Sequence, residues 1–129
     1  KATTDFPSLN VTAAWWDNSW HVTVGARPLR ATLLQGEACG LTAEQPSEDE
    51  LRALAASVRA LSYGTNMWGS ADYRRRISAP LAIQAVRRAA GIELSAALAR
   101  ELETVQVPKF ATDEYSCRRV PGVDSSEVR

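Results

Sequence analysis

The chain predicts an α+β fold, a small antiparallel sheet of three or four strands with helices packed on one face. Two observations carry that expectation. Strand signals fill the first third and helix signals the rest, an order that separates the two kinds of element instead of alternating them. The strand signals also begin with two apolar–polar alternations joined by a short Asp-Asn-Ser turn.

Residues 9–16, LNVTAAWW, place Val11, Ala13 and Trp15 on one side of a strand, and residues 20–25 return with Trp20, Val22 and Val24 on one side. Between them Asp17, Asn18 and Ser19 supply turn chemistry, since Asp and Asn tolerate left-handed backbone and bond their own main chain. The hairpin brings Trp15 or Trp16 against Trp20, a cross-strand contact worth on the order of 0.5–1 kcal/mol. Residues 25–28, Gly-Ala-Arg-Pro, break the strand, and residues 30–34 could form a short third one. Residues 36–46 read as loop with room for one helical turn. Three tryptophans in one hairpin incline the reading towards a sheet whose outer face is covered by another chain.

Ser47 followed by Glu50 is a capping box, and Leu51, Leu54, Ala55, Val58 and Leu61 recur at helical spacing, predicting a helix to about Tyr63 that Gly64 closes in the left-handed conformation. Ser70 caps the next helix and Asp72 suits its positive end. Its expected apolar stripe is Ile77, Leu81, Ala85, Val86 and Ala89, with Pro80 kinking or splitting it and Gly91 ending it. A third helix spans about residues 93–103, with Leu94, Leu98 and Leu102 on one side. Residues 1–104 form the expected domain and residues 105–129 a polar tail, extended or ordered only against a partner.

At 129 residues the chain holds one core, and its 15 basic and 15 acidic side chains cancel. No global field therefore draws it to nucleic acid or to an anionic membrane, and its apolar runs are too short to span a bilayer. The first residue is Lys1 instead of methionine, as trimming or a missing N-terminal part would explain, and the polar Thr3, Thr4 and Asp5 that follow do not read as a signal peptide. Cys39 and Cys117 follow no CxxC spacing and the one histidine is His21, too few ligands for a closed zinc site. Two free thiols in a reducing cytoplasm is the reading adopted, with a disulfide between them left open. His21 reads as a solvated strand residue with no partner for general-base work, and Tyr73 as a ring packed under its helix with a local hydroxyl bond.

Residues 61–76, LSYGTNMWGSADYRRR, are the most informative stretch. Adjacent arginines on a helix point about 100° apart, so at most two of Arg74, Arg75 and Arg76 share a face. One pairs with Asp72 or a helix C-terminal carbonyl while the others are solvated, or they make an intersubunit ion pair; a nucleic-acid patch is disfavoured by the neutral net charge. No nucleophile, metal cluster or phosphate-binding glycine loop accompanies them, so the chain reads as a docking and support module with no complete active site.

Residues 69–75, GSADYRR, resemble the GSAEYRR of a helix start in the C-terminal domain of the flavin-binding subunit of molybdenum hydroxylases, the family of carbon monoxide dehydrogenase, xanthine dehydrogenase and nicotinate dehydrogenase. Residues 61–67, LSYGTNM, are similar to the version in flavin subunits of anaerobic bacteria. Residues 5–7, Asp-Phe-Pro, and 24–28, Val-Gly-Ala-Arg-Pro, resemble the same domain's opening, and 87–89, Arg-Arg-Ala, its helix end. The resemblance runs over residues 1–91 and implies an antiparallel sheet beside a three-helix bundle, in an assembly that hydroxylates a heterocycle or aldehyde with water. Electrons would pass from molybdopterin through two 2Fe-2S clusters to FAD. It further implies that FAD is held mainly by a preceding domain, with Lys1 and Asp5 the positions nearest to it. The implied partners are that FAD-binding domain, the iron–sulfur subunit and the molybdenum subunit, in the cytoplasm. The alternative expectation is a free-standing protein-interaction module without a redox role.

Overall fold

A computed structural model describes residues 6–103. Strands β1 (Asn10–Trp16) and β2 (Ser19–Gly25) form the hairpin, and β3 (Thr32–Gln35) pairs antiparallel with β2, giving the order β1-β2-β3. Asp17 and Asn18 make the two-residue loop with φ of 51° and 53°. Two successive left-handed residues give the turn whose twist matches the strands it joins. That turn sets the register, with Trp15 opposite Trp20, Ala13 opposite Val22 and Val11 opposite Val24.

Trp20, Val22 and Val24 are completely buried, and Val11, Ala13 and Trp15 pack beside them. The Trp15 and Trp20 rings meet edge-on at 5.7 Å. Trp16 alone of the three hairpin tryptophans lies on the outer face, 73% exposed beside His21. Two of the three that suggested an outer cover are therefore core residues. The outer face carries Thr12, Ala14, Trp16, His21, Thr23, Leu33 and Gln35, a mixed row in which Trp16 and Leu33 are the large exposed apolar groups.

After β3 a 3-10 turn (Gly36–Cys39) ends at Gly40, whose φ is 74°. A Cβ at Gly40 would lie 2.8 Å from the Cβ of Ala53, so the position needs glycine for both backbone and space. Cys39 is buried, its thiol directed at the Gly36 carbonyl at 3.0 Å; Cys117 lies outside the described residues.

Helix α1 (Glu48–Arg59) begins with both halves of the capping box, Ser47 Oγ accepting from the Glu50 amide at 3.3 Å and Glu50 accepting from the Ser47 amide at 2.9 Å. The same carboxylate accepts from the Thr42 hydroxyl at 2.6 Å, the Thr42 amide at 2.7 Å and the Ala43 amide at 3.3 Å. The Thr42 hydroxyl first, then the amides of Ser47 and Thr42, bring the Glu50 carboxyl from its ordinary 4.5 down to about 2. A depressed carboxylate stabilises the fold above its unfolded value and loses that contribution as the pH falls. Glu50→Gln is therefore expected to flatten the fall in urea-unfolding stability between pH 4.5 and 2. It should cost about 1 kcal/mol at pH 7, and an unchanged pH profile would refute the assignment.

The helix stops at Arg59, earlier than its periodicity suggests, and Gly64 is not its left-handed cap. Gly64 instead lets two backbones approach: its amide donates to the Arg27 carbonyl at 2.6 Å, and a Cβ would stand 3.3 Å from that oxygen and from Pro28 Cδ. Helix α2 (Ala71–Ala90) is capped by Ser70, whose hydroxyl accepts from the Tyr73 amide at 3.1 Å, and Gly91 closes it. It runs through Pro80 without dividing. Pro80 deletes one intrahelical bond, but Ser78, Ala79, Ala82 and Ile83 around it are all buried, so tertiary packing offsets the loss.

The buried row of α2 is Arg74, Ser78, Ala79, Ala82, Ile83 and Val86, not the predicted one. Leu81 is 38% exposed and Ala89 is exposed; of the expected stripe only Val86 is fully buried. Small residues let α2 lie against both α1 and β1. Helix α3 (Ala96–Glu103) starts later than expected, with Ser95 Oγ accepting from the Leu98 amide at 3.2 Å, and buries Leu98. Arg52 of α1 ties it down through Glu101 at 3.2 Å. The result is an α+β domain, a three-stranded antiparallel sheet with three helices and one core between them. Among the described residues no helix is long and apolar enough to cross a membrane. The tail, residues 105–129, lies outside them.

Candidate functional site

Two buried arginines hold the connection between α1 and α2. Arg74, only 1% exposed, donates from Nε to the Ser8 carbonyl at 2.6 Å, from Nη1 to the carbonyls of Gly64 (2.9 Å) and Gly69, and from Nη2 to Asn66 Oδ1 at 2.6 Å. Each of these four partners is an uncharged oxygen. The cation is thus solvated by oriented carbonyl dipoles in place of water, a solution the planar, forked guanidinium permits and an ammonium does not. Arg27, 6% exposed, donates to the carbonyls of Ser62 and Arg30 and to the Thr32 hydroxyl. Its backbone carbonyl takes the Gly64 amide.

Around Arg74 the chain makes a tight four-residue turn. Asn66 and Gly69 exchange amide–carbonyl bonds at 3.1 and 3.2 Å, and Asn66 Oδ1 also accepts from the Trp68 amide at 3.0 Å. Thr65 Oγ1 accepts from the Ala71 amide at 2.9 Å, and Ser8 Oγ donates to the Trp68 carbonyl at 2.9 Å. Held this way, the two central residues of the turn face outward: Met67 is 87% exposed and Trp68 47%. Phe6, 72% exposed, tilts against Trp68 with ring centroids 5.9 Å apart. Three large apolar side chains therefore crown a rigid polar support.

The site gathers segments that are distant in sequence. Residues 6–8, 27–32, 62–69 and 74 meet through these bonds. The arginine run divides three ways. Arg74 is buried, against expectation, because its neighbours are carbonyls that become visible only once the loop has folded. Arg75 pairs with Asp72 at 3.6 Å, as one of the three was expected to, and Arg76 is exposed. Arg27 is a site residue that sequence reasoning does not single out; its signals are the Gly-Ala-Arg-Pro break and the resemblance that residues 24–28 carry. The Tyr73 ring lies beside Gly69, and half-buried His21 sits on the outer sheet face with Nδ1 3.2 Å from the Ser19 carbonyl. Lys1 and Asp5, the positions placed nearest a flavin by resemblance, lie outside the described residues.

Among the described residues no group of three or more His, Cys, Asp or Glu side chains is placed to share a metal ion. A Cβ at Gly69, the glycine that precedes α2, would stand in ordinary van der Waals contact with Tyr73 at 3.5 Å and Arg74 at 3.6 Å. Comparison with protein-family models, with curated proteins and with solved structures finds no match.

Proposed function

We propose that this chain is the C-terminal domain of the FAD subunit of a molybdenum hydroxylase, supporting the flavin domain and docking it to the iron–sulfur and molybdenum subunits. One observation carries the reading. Phe6 and the Gly-Ala-Arg-Pro, LSYGTNM and GSADYRR stretches, dispersed over some seventy positions, converge on the Arg27–Arg74 clamp and its apolar crown. Motif residues that build one support and present Phe6, Met67 and Trp68 from it fit a docking role. In this reading the cofactor is carried by a preceding domain, with electrons passing from molybdopterin and 2Fe-2S clusters on partner subunits. This chain contributes position and an apolar contact.

Affinity capture of the tagged full chain from its native cells tests the proposal. Flavin-, iron–sulfur- and molybdenum-bearing polypeptides should come with the wild type, and Met67→Ser with Trp68→Ser should release them. Both side chains are exposed, so the double variant should stay within about 1 kcal/mol of wild-type stability. Stoichiometric FAD on the isolated chain would refute this division of labour. A second reading, an interaction module without a redox role, rests on the exposed crown alone; recovery without any redox subunit decides for it.

A further inference from the structure

A cavity of about 330 Å³ opens between the last turn of α1 and the first turns of α2, away from the apolar crown, lined by Arg59, Asp72, Arg75 and Arg76. Three arginines and one aspartate line it, a local excess of positive charge in a chain whose charges balance as a whole. Asp72 is engaged with Arg75, while Arg59 and Arg76 have no carboxylate partner among the described residues. Arg75 is also fixed from the other side, its guanidinium 5.7 Å from the centroid of the Tyr63 ring. Tyr63 is itself buried and pinned by its hydroxyl to the Val58 carbonyl at 2.6 Å. Arg74, one residue earlier, anchors the first turns of α2 to the loop and so fixes the backbone from which Arg75 and Arg76 project.

Like charges gathered round one recess repel, and a bound anion turns that cost into attraction. Guanidinium is the side chain that matches a tetrahedral or planar oxyanion with paired donors. We propose that the Arg59–Arg75–Arg76 pocket binds a compact phosphoryl dianion, either free phosphate or the phosphoryl end of a small ester. A recess lined by so few charged side chains suits a compact group, where an acidic protein segment would need a longer charged track. The even charge balance of the whole chain argues against a nucleic-acid backbone.

Calorimetric titration of the full chain with inorganic phosphate and, separately, with glycerol phosphate tests the proposal, against sodium chloride at matched ionic strength. Saturable binding of either supports it. Tighter binding of the ester identifies a phosphorylated small molecule as the source, and equal or weaker binding identifies the free ion. Arg59→Gln with Arg76→Gln should weaken binding at least about tenfold, the loss expected for a charge-assisted hydrogen bond. Arg88→Gln, an exposed position on α2 outside the pocket, should leave it unchanged. Equal effects of the two replacements, a response no larger than that of chloride, or binding of a glutamate-rich peptide without binding of either phosphate would each overturn the proposal. All three arginines replaced are exposed, so an unaltered circular dichroism spectrum is the expected check on folding.

Discussion

Replacing Arg74 with Met is expected to lower the unfolding free energy by about 3–5 kcal/mol, the summed cost of leaving several buried oxygens without their donor. Four of the five guanidinium N–H groups are engaged, and three of their acceptors are backbone carbonyls, of Ser8, Gly64 and Gly69. Met fills much of the volume but leaves those oxygens without their donor, at about 1–3 kcal/mol for each that water cannot reach. Arg74→Lys should recover less than half, because an ammonium on a flexible stem cannot address Ser8, Asn66 and Gly69 from one plane. Urea unfolding measures the loss. Amide exchange should accelerate across residues 64–69 more than in the sheet; a loss under 1 kcal/mol with an unchanged exchange pattern would refute the clamp.

Trp20→Ala should cost a similar amount, about 3–5 kcal/mol, as large aromatic truncations in cores do. The residue is fully buried, meets Trp15 edge-on, and donates from Nε1 to the Ala43 carbonyl at 2.8 Å, tying the loop ahead of α1 to the sheet. Trp20→Phe keeps most of the apolar area but abandons that carbonyl, so a loss of about 1–3 kcal/mol is expected. Trp16→Ala, on the opposite face of the same hairpin and 73% exposed, should change stability by no more than about 0.5 kcal/mol. Thermal unfolding of the three variants reads the hairpin register directly. Comparable losses at Trp16 and Trp20 would mean that the strands are paired one residue out of step.

The elements that were legible in the sequence are those governed by neighbours in the chain. The alternation of Val11, Ala13 and Trp15, the Asp17-Asn18 turn and the Ser47–Glu50 box each involve residues only a few positions apart, and each has its expected geometry. The end of α1 and the buried row of α2 were misjudged for a shared reason. Residues 61–64 follow a helical pattern locally, but Ser62 and Gly64 give their carbonyls to arginines 35 and 10 positions away. Arg74 then occupies the inward row of α2 where an apolar side chain would be expected, turning the helix about one residue from its predicted face. A charged residue inside a core becomes foreseeable only when the oxygens that receive it are known. The burial of Arg74 was not legible in residues 61–76 alone.

The bond from Arg74 to the Ser8 carbonyl joins positions 66 residues apart, the first of them just ahead of the sheet. Proteolytic clipping between Ser8 and Leu9 would sever the first strand's leader from the guanidinium and also take Phe6 away from Trp68. An N-terminal nick would then act at a distance, as a lesion of the turn at residues 66–69, and the conformation of that turn would report on the integrity of the opening segment.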